Sequence, residues 1–243
     1  MIGPILVFVS WFFLRLEGKG LTELGFNAPL LRVWQLVVGF LVAGGVVTVQ
    51  QLGLSAAAGV DWQLNSEADL ALVLSGLRLN INSVLYEELL FRGYLLYQAV
   101  RWLGPRRGVL LGAAAFGVYH WFSYGVFGSP VNMAFVFVLT GSFGLMLGLA
   151  FSKTKSIAAP IGLHLGWNTV AYLVFSGGPF GAGLLVPSNG APNIGVPGVM
   201  GLALGIGLPL AFVVGTCSYL LRSPVRDGAD PSPESPPRDG GSQ

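Results

Sequence analysis

The chain has 243 residues, of which 53% are hydrophobic and 10% charged, with a mean hydropathy of +0.69. Ordinary soluble domains carry about 25% charged residues, so this composition excludes a large water-facing surface and points to an integral membrane protein. The net charge of +2 comes from cations dispersed between apolar runs, which leaves no nucleic-acid footprint.

Residues 1–16 form an apolar run somewhat short of the usual ~20 for a span. With no basic region before it and no small-residue cleavage site, it reads as a retained helix rather than a signal peptide. A polar link, 17–32, contains Leu21-Thr22-Glu23-Leu24-Gly25-Phe26, whose spacing suggests a segment lying at the interface. The span at 33–54 is loosened by Gly39, Gly44 and Gly45, and an acidic loop follows at 55–69. A long helix over 70–101 carries Glu87, Glu88 and Arg92, and Leu103-Gly104-Pro105 ends it because proline cannot continue a helix. The next span, 108–127, holds His120. Gly128-Ser129-Pro130 turns into 131–151, where Gly141, Ser142, Gly144 and Gly148 let membrane helices approach closely. Residues 156–175 hold His164 and Asn168. A Gly/Pro/Asn-rich loop at 177–197 precedes the last span, 198–221, which contains Cys217, the lone cysteine, so no intrachain disulfide can form. The tail at 222–243, dense in Pro, Ser, Asp and Gly, is predicted to be disordered and cytoplasmic. No internal repeat is visible.

The cations test this count of seven spans. Arg15, Lys19 and Arg32 flank the first link, Arg101, Arg106 and Arg107 the third, and Lys153 and Lys155 the fifth, while Arg222, Arg226 and Arg238 follow the last span. The second, fourth and sixth links contain none. The positive-inside rule then places the N-terminus outside and the C-terminus in the cytoplasm. The expected fold is all-α: a polytopic membrane helix bundle of about seven transmembrane helices, one domain over 1–221, in the cell membrane.

Within this apolar chain, Glu87, Glu88 and Arg92 are expensive, since a charge at the bilayer centre costs about 2.5–3.5 kcal/mol on insertion scales. Glu88 and Arg92 are four apart on a helix and share a face, so they pair; Glu87 points about 100° away and is left to face something else. A Glu–Arg clamp that only fixes helix packing is the plainer reading. Depth argues for more. Counting from the flanking cations at about 1.5 Å per residue, Glu87, Glu88 and His120 lie about 20 Å from the cytoplasmic side, and His164 and Asn168 about 14 and 20 Å. Residues of three helices therefore meet near one level, and the chain's two histidines are both in it. A lone histidine or Asn168 often serves as interhelical glue. Together they form a hydrolytic set: Glu87 with His120 can deprotonate a water, directly or on a metal, and His164 with Asn168 can donate to an oxyanion. Glu87, His120 and His164 are the candidate ligands if a divalent metal such as zinc is present, although no HExxH occurs. Tyr86, Tyr97 and Tyr119 read as packing and interfacial residues.

These residues resemble the CPBP family of intramembrane proteases, which includes type II CAAX prenyl endopeptidases and Abi-type proteins. Its EExxxR motif stands here as Glu87-Glu88-Leu89-Leu90-Phe91-Arg92, its FxxxH as Phe116-Gly117-Val118-Tyr119-His120, and its HxxxN as His164-Leu165-Gly166-Trp167-Asn168. They occur in the family's order, one per helix, over roughly 82–170, and Glu23-Leu24-Gly25-Phe26 looks like the family's lead-in. The resemblance implies an intramembrane glutamate protease, formerly called a metalloprotease, open to the cytoplasm. Glu87 and His120 would activate water, His164 and Asn168 would form the oxyanion hole, and Glu88 and Arg92 would support Glu87. The expected partners are the lipid bilayer and a peptide or membrane-protein substrate, with no nucleic acid. The rivals are a non-catalytic scaffold or bacteriocin-immunity-type protein on the same fold, and a proton-coupled transporter. The transporter is disfavoured by the lack of a repeat or paired broken helices.

Overall fold

The computed structural model describes residues 2–179 and 181–224 and is mostly helical. The tail predicted to be disordered lies, beyond residue 224, outside the described residues. In chain order the helices are α1 (Gly3–Leu16), α2 (Pro29–Ala58), α3 (Leu70–Arg92), α4 (Tyr94–Ser123), α5 (Pro130–Thr154), α6 (Ala158–Asn168), α7 (Gly198–Leu202) and α8 (Leu208–Arg222). The 3-10 turn Leu21–Leu24 joins α1 to α2; π-helical turns, Thr169–Val174 and Ala203–Gly207, follow α6 and α7.

Among the described residues, three helical stretches are long and apolar enough to cross a membrane: Leu21–Ala58, Pro130–Thr154 and Gly198–Arg222. The remaining helices fall short for identifiable reasons. α3 carries Arg78, Asn80, Asn82, Glu87, Glu88 and Arg92, α4 carries Arg101, Arg106 and Arg107, and α1 and α6 are brief. The outer faces are oily: Leu41, Val49, Phe135, Val138 and Val214 all stand exposed. A monomer in water does not present such a surface, whereas lipid accepts it.

Two expected features are placed differently. The helix predicted over 70–101 breaks earlier, at Gly93 (φ −76°, ψ −138°), where a Cβ would fall 2.2 Å from the Leu89 carbonyl oxygen. Gly104 also leaves helical geometry (φ 79°, ψ 163°), as the Leu-Gly-Pro sequence foretold, so α4 is a bent element with its elbow there. The loops predicted at 55–69 and 177–197 are not purely irregular. Trp62–Leu64 (β1) and Leu185–Pro187 (β2) pair antiparallel, Gln63 opposite Val186, and tie the second link to the sixth.

Gly39 and Gly44 do not loosen α2; they let α6 in. A Cβ on Gly39 would lie 2.8 Å from the Leu163 backbone nitrogen, and one on Gly44 would lie 2.9 Å from a Val170 methyl. On the other side, Gly162 and Gly166 meet the carbonyl oxygens of Leu36 and Phe40, each 2.2 Å from the position a Cβ would take. The two helices thus touch backbone to backbone, the contact that small residues permit in membranes. Around this seam Ala43, Met146, Leu147, Ala150, Leu163, Phe212 and Val213 form the larger core cluster; Leu14, Leu24, Leu96 and Phe151 form a second where the lead-in packs. The lead-in is anchored by Ile157, whose N–H donates to the Leu24 carbonyl at 3.0 Å.

Candidate active site

Three helices deliver the site. From α3, Glu88 is fully buried and Arg92 is 1% exposed; the guanidinium donates to Glu88 Oε1 at 3.1 Å, as their i,i+4 spacing predicts. Arg92 also donates to the Gly144 carbonyl of α5 at 3.3 Å and lies 4.1 Å from the ring centroid of Phe116 on α4. A buried charge survives only if it is paired and its remaining donors are used, and here α3, α4 and α5 all share in that task.

Glu87, on the neighbouring face of α3, turns toward the histidines. Its Oε2 lies 3.8 Å from His120 Nε2 and 3.9 Å from His164 Nε2, and has no hydrogen-bond partner among the described residues. Ser83 Oγ approaches the other oxygen at 3.5 Å. Each histidine is held by its second nitrogen. His120 Nδ1 donates to the Phe116 carbonyl at 2.8 Å, because a carbonyl can only accept. His164 Nδ1 donates to Glu88 Oε1 at 2.8 Å. Both Nε2 atoms are therefore aimed at the one free oxygen of Glu87. His120 is packed between aromatic rings, 4.4 Å from Phe116 and 5.2 Å from Tyr119 between centroids.

Asn168 is buried one turn beyond His164, at the last position of α6 before the π-helical turn. The structure thus brings together Glu87, Glu88, Arg92, His120 and His164, and Asn168 follows His164 by one turn along α6.

Two functions were not anticipated from the sequence. Glu88 serves Arg92 and His164 at once, so it orients a histidine as well as closing an ion pair. Phe116 contributes both its ring, to Arg92, and its carbonyl, to His120. The four-residue interval between Phe116 and His120 could have signalled the second contact, since a helix places that carbonyl beneath the histidine.

A zinc centre binds its nitrogen and oxygen donors at about 2.0–2.2 Å, which puts them about 3.4 Å apart in a tetrahedron. The Glu87–histidine separations are wider, and among the described residues no three His, Cys, Asp or Glu side chains form a group that would hold a metal. As placed, Glu87, His120 and His164 do not fit a metal centre.

No curated protein and no solved structure matches the chain. Residues 69–170 match the family model described as type II CAAX prenyl endopeptidase Rce1-like. That stretch carries all six of these side chains, and over it the chain is similar to the Rce1-like type II CAAX prenyl endopeptidases.

Proposed function

We propose that the protein is an intramembrane endopeptidase in which Glu87 and His120 activate a water molecule and His164 and Asn168 stabilise the oxyanion. The observation that carries this reading is the free Glu87 oxygen facing two histidine Nε2 atoms at 3.8 and 3.9 Å. Those separations are too long for direct hydrogen bonds but suit one water bonded to all three.

Protons can be counted. Glu87 Oε2, His120 Nε2 and His164 Nε2 are three acceptors when both histidines are neutral, and a water offers only two protons. One of the three must carry its own. His164 is the best placed, because its other nitrogen already donates to the Glu88 carboxylate. Water then loses a proton to Glu87, assisted by His120, as its oxygen attacks the scissile carbonyl. The developing oxyanion accepts hydrogen bonds from His164 Nε2–H and the Asn168 amide. Collapse of the tetrahedral intermediate breaks the C–N bond, and the proton held by Glu87 passes to the departing amine.

The seven-span arrangement, N-terminus outside and C-terminus cytoplasmic in the cell membrane, belongs to the same proposal. It is supported by where the links meet. Arg32 of the first link donates to the Thr154 carbonyl beside the fifth, and Glu17 of the first pairs with Arg101 at the third, while β1 and β2 join the second and sixth at the other set of loops.

The test incubates the purified protein in lipid vesicles with a library of membrane peptides, with and without a C-terminal prenyl group, and reads new termini by mass spectrometry. Wild type is expected to cut, and Glu87→Gln to lower the rate by about 10²–10⁴-fold with an unchanged melting temperature. Cleavage by Glu87→Gln at the wild-type rate would remove Glu87 from the mechanism. No wild-type cleavage across the library would favour the scaffold reading instead.

A further inference from the structure

Apart from the site, the described residues contain a cavity of about 460 Å³ where the lead-in, the first half of α4 and the end of α5 converge. Its wall carries Lys19, Arg101 and Lys155, with the hydroxyls of Thr22 and Ser152 and the carboxylate of Glu23, and its apolar surface comes from Val100 and Phe151. None of these residues takes part in the cluster around Glu87.

Two of the cations are held by partners: the Lys19 ammonium donates to the Tyr97 hydroxyl and Arg101 pairs with Glu17, while Lys155 is exposed at the end of α5. Three cations set against Glu23 and the neighbouring Glu17 leave one unit of positive charge, the complement of a single phosphodiester. The surroundings say where that phosphodiester would come from. Trp102 is 74% exposed and Leu16 is 69% exposed at the same end of the bundle, a combination of aromatic and aliphatic rim with cations that belongs at the membrane–water border. Arg15, Arg106 and Arg107 do not line the cavity but lie within a few residues of Lys19 and Arg101 in sequence.

We propose that this cavity binds the headgroup phosphate of one anionic phospholipid, held by Lys19, Arg101 and Lys155 with hydrogen bonds from Thr22 and Ser152. Basic pockets between membrane helices take such headgroups. This assignment is independent of the hydrolysis proposed for Glu87; it requires only that this end of the bundle lie at the membrane surface.

The experiment titrates the full chain in detergent with dioleoylphosphatidylglycerol, dioleoylphosphatidylcholine or inorganic phosphate, and counts bound molecules by native mass spectrometry. One phosphatidylglycerol is expected to remain bound where phosphatidylcholine and inorganic phosphate do not. The pair Lys19→Gln and Lys155→Gln should weaken it about thirtyfold, whereas Arg106→Gln with Arg107→Gln, outside the cavity, should leave it nearly unchanged. Glu23→Gln should tighten it, a gain that misfolding cannot imitate. Equal retention of the two lipids, or equal loss from both arginine and lysine pairs, would overturn the site in favour of diffuse surface charge. Displacement of the lipid by inorganic phosphate would overturn the lipid assignment and leave a free-anion site.

Discussion

Replacing Arg92 by methionine is expected to remove about 3–5 kcal/mol of stability, because it strands the Glu88 carboxylate without its cation. Glu88 has no exposed surface from which to recruit water, and among the described residues Arg92 is its one partner of fixed positive charge. The same change deletes the donor to the Gly144 carbonyl and the contact with the Phe116 ring, so α3, α4 and α5 lose a common fastener. Native domains are stable by about 5–15 kcal/mol, so the variant should unfold at distinctly lower denaturant or temperature, read by circular dichroism in detergent. Lysine should not rescue it, since a point charge cannot bond Glu88 and Gly144 as the guanidinium fork does. The double change Arg92→Met with Glu88→Leu should recover most of the stability, because an apolar pair of similar volume replaces a buried ion pair at little cost. It should not recover peptide cleavage, since His164 would lose the acceptor that fixes its Nδ1. A loss below about 1 kcal/mol for Arg92→Met would mean that the pair is solvated like a surface salt bridge.

Gly166→Val is expected to be nearly as severe by a different route. The first added carbon would lie 2.2 Å from the Phe40 carbonyl oxygen and 2.7 Å from its Cα, and neither backbone atom can step aside as a side-chain tip would. α6 must move off α2, carrying His164 and Asn168 with it. Overpacking of this kind costs about 1–3 kcal/mol or more, and a shift of about 1 Å at reacting groups can cost 10²-fold in rate. Cleavage should fall by at least that factor while helical content survives. Gly45→Ala is the control: nothing lies within 4 Å of a Cβ there, so stability and activity should hold or rise slightly, as alanine favours the helix. Equal behaviour of the two variants would show that the seam does not position the site.

The site was legible in the sequence to the extent that helical arithmetic governs it. Four-residue intervals gave the Glu88–Arg92 pair and the shared face of His164 and Asn168, and counting depth from flanking cations put Glu87 near both histidines. What could not be read was which atoms meet across helices. That Glu88 holds His164, or that Arg92 reaches Gly144, depends on crossing geometry that no local spacing encodes. The break at Gly93 was hidden because an apolar pattern continues through it, whereas proline announced the elbow at Gly104. The pairing of Trp62–Leu64 with Leu185–Pro187 joins segments far apart in sequence and too short to show strand alternation.

The glycine seam between α2 and α6 also has a consequence for how the protein is made. α6 with its π-helical turn runs from Ala158 to Val174, about 25 Å at helical rise, less than the ~30 Å of a bilayer core. Such a segment is a poor candidate to insert unaided; it needs the groove that α2 provides. Yet the ribosome completes α2 about 100 residues before it reaches α6, an interval of about 5–20 s at ordinary rates of synthesis. Throughout that interval the bare small-residue face of α2 waits in the lipid for its partner. Assembly of the layer that holds Glu87, His120 and His164 is therefore a race between translation and misassociation, and a pause between residues 58 and 158 would favour the wrong partner without altering a single amino acid.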